Sequence, residues 1–147
     1  MHRGIKLTAV LVLAGGLLCL ASKEPTLQEL EAKAEAARLE DRPQLYLEIA
    51  QRQLDSADQS YKAGLSDAGR ASVDDVTRYA GKACDAAIQS GKKLKNTEIV
   101  VRKMADKLRD IKRTVNFDDQ APVQQAADQL ETLRTKLLSH MFGKGKP

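Results

Sequence analysis

The sequence predicts an all-α fold: an antiparallel bundle of four long helices with one shorter N-terminal helix, placed after a cleaved signal peptide. Three observations lead there. Apolar residues recur at steps of three and four through successive segments, with no strand-like alternation. Proline, glycine and capping residues punctuate those segments. After residue 21, Leu, Ile, Val and Phe number only 25, while alanine adds 17. So lean an apolar content borders on disorder, but low net charge and abundant alanine favour closely packed helices.

The N-terminus supplies the export expectation. A short basic segment with Arg3 and Lys6 precedes an apolar run from Leu7 to Leu20, and Cys19-Leu20-Ala21 ends in small residues at the signal-peptidase positions. Cleavage is expected after Ala21. The run is shorter than the ~20 residues that span a bilayer, and Gly15-Gly16 weakens it as a permanent helix. An uncleaved anchor is the competing reading. Cys19 raises a second one, because lipoprotein signals are cut just before a lipid-modified cysteine. They resemble Leu-(Ala/Ser)-(Gly/Ala)-Cys, and here Leu18 stands where a small residue is required.

Residues 22–142 are expected to form one domain, and 143–147 a frayed tail. The first helix begins at Thr26, where Thr26-Leu-Gln-Glu29 fits a capping box, and its apolar stripe is Leu27, Leu30, Ala34 and Ala37. Pro43 opens the second helix, about 43–63, with Tyr46, Ile49, Ala50, Leu54, Ala57 and Tyr61 on one face before Gly64. The third runs from Asp67 or Ser72 to Ser90, since Ser72-Val-Asp-Asp75 is itself a capping box; its inner face holds Val73, Val76, Ala80, Ala83, Ala87 and Ile88. Asn96 is expected to cap the fourth, whose stripe is Val100, Met104, Leu108, Ile111 and Val115. Asn116–Asp119 reads as a turn. The fifth helix, about 120–142, then carries Val123, Ala126, Ala127, Leu130, Leu133, Leu137, Leu138 and Met141, with Pro122 in its first turn. Four segments of roughly 19–24 residues, about 30–36 Å each, favour antiparallel neighbours joined by short turns. A 34-residue helical repeat would put its central turn at Asp75, inside a patterned segment.

Catalytic patterns are absent from the sequence after residue 21. One histidine, His140, and one cysteine, Cys84, cannot build a zinc cluster, and no Gly-rich phosphate loop is present. No cofactor is expected. His140 is read as complementing the negative end of its own helix. Asp74-Asp75 and Asp118-Asp119 are adjacent carboxylates, which suit helix starts better than the opposed geometry of acid–base catalysis. Cys84 sits among small residues and reads as a buried packing residue; an intermolecular thiol is the alternative.

Charge is the informative asymmetry. The whole chain is +4, and +2 without residues 1–21. Residues 22–91 carry 9 bases and 13 acids, whereas residues 92–147 carry 13 bases and 7 acids. Arg102, Arg109 and Arg113 follow steps of seven and four, so one helix face can present them to an anionic partner. The competing expectation is internal pairing, with Glu98, Asp106 and Asp110 on the same helix and with the acidic first half. Nucleic acid is disfavoured, because no aromatic residues interleave with the bases. The functional expectation is an exported protein, periplasmic or extracellular, that binds a protein or an anionic envelope component without catalysis. Its rival is a structural envelope component held at a membrane by a retained N-terminal helix or a lipid on Cys19.

Overall fold

The computed structural model describes residues 23–143, and among them the chain forms five α-helices and no strand. They are α1 (Leu27–Ala36), α2 (Arg42–Lys62), α3 (Ser66–Ser90), α4 (Leu94–Thr114) and α5 (Phe117–Phe142). The expected signal peptide at 1–21, with Cys19, and the tail after Gly143 lie outside the described residues.

Local chemistry explains most boundaries. The Thr26 hydroxyl accepts the Glu29 amide at 3.2 Å while the Glu29 carboxylate accepts the Thr26 amide at 2.8 Å, so the capping box forms in full. Pro43 occupies the first turn of α2, where no intrahelical amide bond is lost. Gly64 and Gly91 both adopt positive φ in the turns after α2 and α3.

Four boundary expectations need correction. Of the two starts expected for α3, Asp67 stands to within one residue, since the helix begins at Ser66, and Ser72 fails: the helix runs unbroken through it, and its buried hydroxyl donates to Ser56 Oγ at 3.2 Å instead of capping. Asp74 and Asp75 therefore lie mid-helix, not at a start. Asn96 is not a cap either: α4 begins at Leu94 behind Lys93, which takes the left-handed conformation with φ 61°. Residues 117–119 belong to α5, and Asn116 precedes it without a side-chain cap. Gly143 continues the last turn of α5 and does not belong to the tail. Pro122 then falls inside the helix, one turn later than expected. Its missing amide leaves the Asp118 carbonyl without an i+4 donor, and Arg70 Nη2 from α3 approaches that oxygen at 3.5 Å.

Packing is most extensive between α2 and α3 and between α4 and α5; α3 also lies along α5. Both hairpins are antiparallel, with Tyr46 against Tyr79 near one end of the first and Ser56 against Ser72 further along. The α2–α3 seam is built from Ala50, Ala57, Ala80, Ala83 and Ala87 with Val73 and Val76, all buried, and small side chains let the two backbones approach closely. The α4–α5 seam uses larger groups: Val101, Met104, Leu108, Ile111, Leu130 and Leu137. Leu47, Tyr79, Val101 and Ala105 are core residues that the sequence stripes missed, whereas Leu27 is exposed and Leu138 and Met141 are only half-buried. Helix α1 lies against α2, burying Leu30 and Ala34, and reaches α3 through the side chains of Glu31 and Glu35.

Candidate functional site

The three arginines singled out by spacing meet different partners. Arg102 stands 3.9 Å from Glu98, but Glu98 is held far more closely by Arg134 of α5, at 2.6 Å. Arg109 bridges two acids, Asp106 at 2.9 Å on its own helix and Glu131 at 3.1 Å on α5. Arg113 reaches Asp110 at 3.4 Å and leaves 78% of its side chain exposed. Their pairing partners thus come from α4 and α5. Pairing between the basic second half and the acidic first half rests on other residues: Lys107 with Asp58 at 3.1 Å and Lys136 with Asp85 at 3.0 Å.

Arg109 and Arg113 nevertheless meet in one place. An open groove of about 280 Å³ between the end of α4 and the start of α5 is lined by Arg109, Lys112, Arg113, Gln120 and Gln124. Every side chain in that lining carries N–H donors, and none is a carboxylate or an aliphatic group. Lys112 Nζ donates to Gln124 Oε1 at 2.8 Å, and Gln124 Nε2 donates to Asp128 at 2.8 Å, which fixes the amide's orientation. Arg102 lies outside the groove. Lys112, Gln120 and Gln124 escaped sequence reasoning; the four-residue step between the two glutamines, which sets them on one face of α5, is the signal that could have found them.

Other polar clusters have structural roles visible in their geometry. Tyr46 donates its hydroxyl to Glu35 Oε1 at 2.6 Å, and Lys82 Nζ sits 5.4 Å and 5.5 Å from the Tyr46 and Tyr79 ring centres. Lys82 also approaches Glu35 at 3.4 Å and Glu31 at 3.6 Å. Burial, reinforced by the bond to Glu35, pushes the Tyr46 phenol up to about 12, while that same bond holds the Glu35 carboxyl below its ordinary range. The set fastens α1 to the α2–α3 hairpin.

Asp119 is buried in the first turn of α5, consistent with complementing that helix's amide end. Its carboxylate also crosses to α3, accepting from Ser66 Oγ at 2.7 Å and Arg70 Nε at 2.8 Å. The Ser66 bond first, then Arg70, keeps it ionised below the usual carboxylate range.

Cys84 is fully buried in the core, and burial pushes its thiol up to about 12, so almost no thiolate exists at neutral pH. Reaching a second chain would require opening the packing around α3. His140 lies in the last turn of α5. Among the described residues, no group of three or more His, Cys, Asp or Glu side chains is placed to hold a metal ion, and no helix is long and apolar enough to cross a membrane.

Compared with protein-family models, curated proteins and solved structures, the chain matches none.

Proposed function

We propose that the working protein is an exported, non-catalytic interaction protein, periplasmic or extracellular, which contacts an anionic macromolecule through the α4–α5 groove. In this reading residues 1–21 are removed after Ala21, and residues 22–142 work as a single bundle of four long helices with the shorter α1 alongside. The observation that carries it is the groove's lining of three cations and two amides without a carboxylate. Arginine and glutamine side chains of this kind bind carboxylate, phosphate or sulfate oxygens, because each offers several directed donors at once. The partner is an anionic envelope component or an acidic protein surface.

Crosslinking capture from the native host tests this reading, with wild-type protein beside the Arg109→Gln/Lys112→Gln/Arg113→Gln variant. The wild type should retain an anionic partner that the triple variant loses, in a salt-sensitive manner. Capture unaffected by the three substitutions would sink the groove as the contact. A second reading, an envelope component held at a membrane, draws on the apolar run Leu7–Leu20 and on Cys19. Intact mass separates the two: loss of residues 1–21 supports the exported form, and a lipid adduct beginning at Cys19 or a retained N-terminus supports the anchored one.

A further inference from the structure

The bundle end farthest from the groove carries a different surface. Lys92, Lys93 and Lys95 surround the α3–α4 turn, all exposed, and the first turn of α4 contains no acid. Among the described residues none of the three takes part in an ion pair. The nearest acids along the chain are already engaged: Glu98 is buried against Arg134 at 2.6 Å, and Asp85 meets Lys136 at 3.0 Å. The neighbouring α1–α2 loop sets Arg38 against two acids, Glu40 at 3.0 Å and Asp41 at 3.1 Å, a net charge of −1 that leaves the three lysines in excess.

Helix α5 ends beside this turn. Its antiparallel register against α4, set by Arg134–Glu98 and Arg109–Glu131, brings the last turn of α5 level with the start of α4. That last turn ends in Phe142, which is 77% exposed. The chain continues from there as Gly143-Lys144-Gly145-Lys146-Pro147, with two further cations and no acid.

We propose that this end, formed by Lys92, Lys93, Lys95 and Phe142, docks on an acidic phospholipid surface, with the lysines at the headgroups and the phenyl ring in the interfacial layer. Charge complementarity favours an anionic occupant. Area favours a soft one: Phe142 offers on the order of 150–250 Å² of apolar surface, far below the ~800 Å² per partner of a stable protein interface. A fluid headgroup layer can close around a single projecting ring, and lysines beside an acidic leaflet add attraction within a Debye length. A lone aromatic does not form the stacking row that single-stranded nucleic acid requires. This inference is independent of the α4–α5 groove.

Co-sedimentation of the full chain with vesicles tests it, using phosphatidylglycerol–phosphatidylcholine mixtures beside pure phosphatidylcholine at low salt. The wild type should partition onto acidic vesicles at least about tenfold more strongly than onto neutral ones. Lys92→Gln/Lys93→Gln/Lys95→Gln should remove most of that preference, and Phe142→Ser should weaken acidic-vesicle binding several-fold. Arg109→Gln/Lys112→Gln/Arg113→Gln should leave it unchanged, which separates this surface from the groove. Circular dichroism confirms that each variant keeps its helices. Equal binding to both vesicles, or acidic-vesicle binding indifferent to the three lysines, would place the affinity elsewhere in the chain and overturn the proposal. Self-association abolished by Phe142→Ser, without vesicle binding, would overturn it in favour of a second copy of the chain.

Discussion

Where α2 turns into α3 and α4 into α5, a carboxylate is drawn inward: Asp119 is buried and crosses from α5 to Ser66 and Arg70 of α3. Leu65 and Phe117 project from the same two turns, 57% and 85% exposed. At the opposite end, among the described residues, no acid pairs with Lys92, Lys93 or Lys95. The chain places acids and bases within a few residues of each other along most helices, yet neutralisation across helices occurs only where a neighbour supplies a partner at the right height. Arg70 finds Asp119 because α3 lies along α5. The α3–α4 turn adjoins the last turn of α5, which carries His140 and no acid, and the α1–α2 loop, whose Glu40 and Asp41 are taken by Arg38.

The largest expected effect comes from breaking what the two ends share. Leu108 and Leu130 are fully buried in the α4–α5 seam. Truncating either to Ala should cost about 2–5 kcal/mol, from lost transfer energy and the cavity left behind. Chemical denaturation should show one cooperative transition at lower denaturant. An unchanged midpoint for both variants would mean that the ends do not depend on a common core.

Two glycines of α3 sharpen the comparison along its length. A Cβ at Gly69, near the Asp119 end, would stand 2.7 Å from Tyr61 Cε1, whereas one at Gly81 meets nothing within 4 Å. Gly69→Ala must displace the Tyr61 ring, and should destabilise by about 1–3 kcal/mol. Gly81→Ala should stabilise by about 0.5–1 kcal/mol, because alanine restricts the unfolded chain and suits a helix interior. Thermal melts of the two variants should move in opposite directions.

Acid distinguishes the ends next. The Asp119 carboxyl is held below its unfolded value, by Ser66 first and Arg70 second, so its stabilisation is complete above the ordinary aspartate range and is lost as pH falls through the folded value. Asp58, depressed by Lys62 and then Lys107, acts in the same direction. Melting temperature should therefore drop below about pH 4. Asp119→Asn should lower stability at pH 7 and flatten the acid limb. Lys92→Gln/Lys93→Gln/Lys95→Gln should leave that limb intact.

The smallest effect belongs to the arginines nominated by spacing. Replacing Arg102, Arg109 and Arg113 together with Gln should change stability by only about 1 kcal/mol, since the Arg113 pair is exposed, Glu98 keeps Arg134 when Arg102 is lost, and the acids beside Arg109 stay partly solvated. Retention on an anionic matrix should fall for Arg109→Gln and Arg113→Gln, which line the groove, and hold for Arg102→Gln, which does not. Equal losses at all three positions would return the surface to a plain charged face.

The helical body was legible from periodicity alone, because a step of three to four residues is a property of one helix and needs no neighbour. The stripes around Leu108, Ile111, Leu130 and Leu137, the capping box at Thr26 and the burial of Cys84 all follow from local pattern. Helix starts at Leu94 and Phe117 were misplaced for a related reason. Asn96 and Asn116–Asp119 have the right side chains for caps and turns, but Lys93 adopts the left-handed turn conformation ahead of α4, and Asp119 is taken up by α3. Tertiary structure alone decided which charges meet. Ion pairing across helices depends on register and rotation, which distinguish Arg109 with its Glu131 partner from Arg102, and gather Lys112, Gln120 and Gln124 into the groove. A sequence lists charges along one dimension; only packing sets their separation in three, and electrostatic energy depends on that separation.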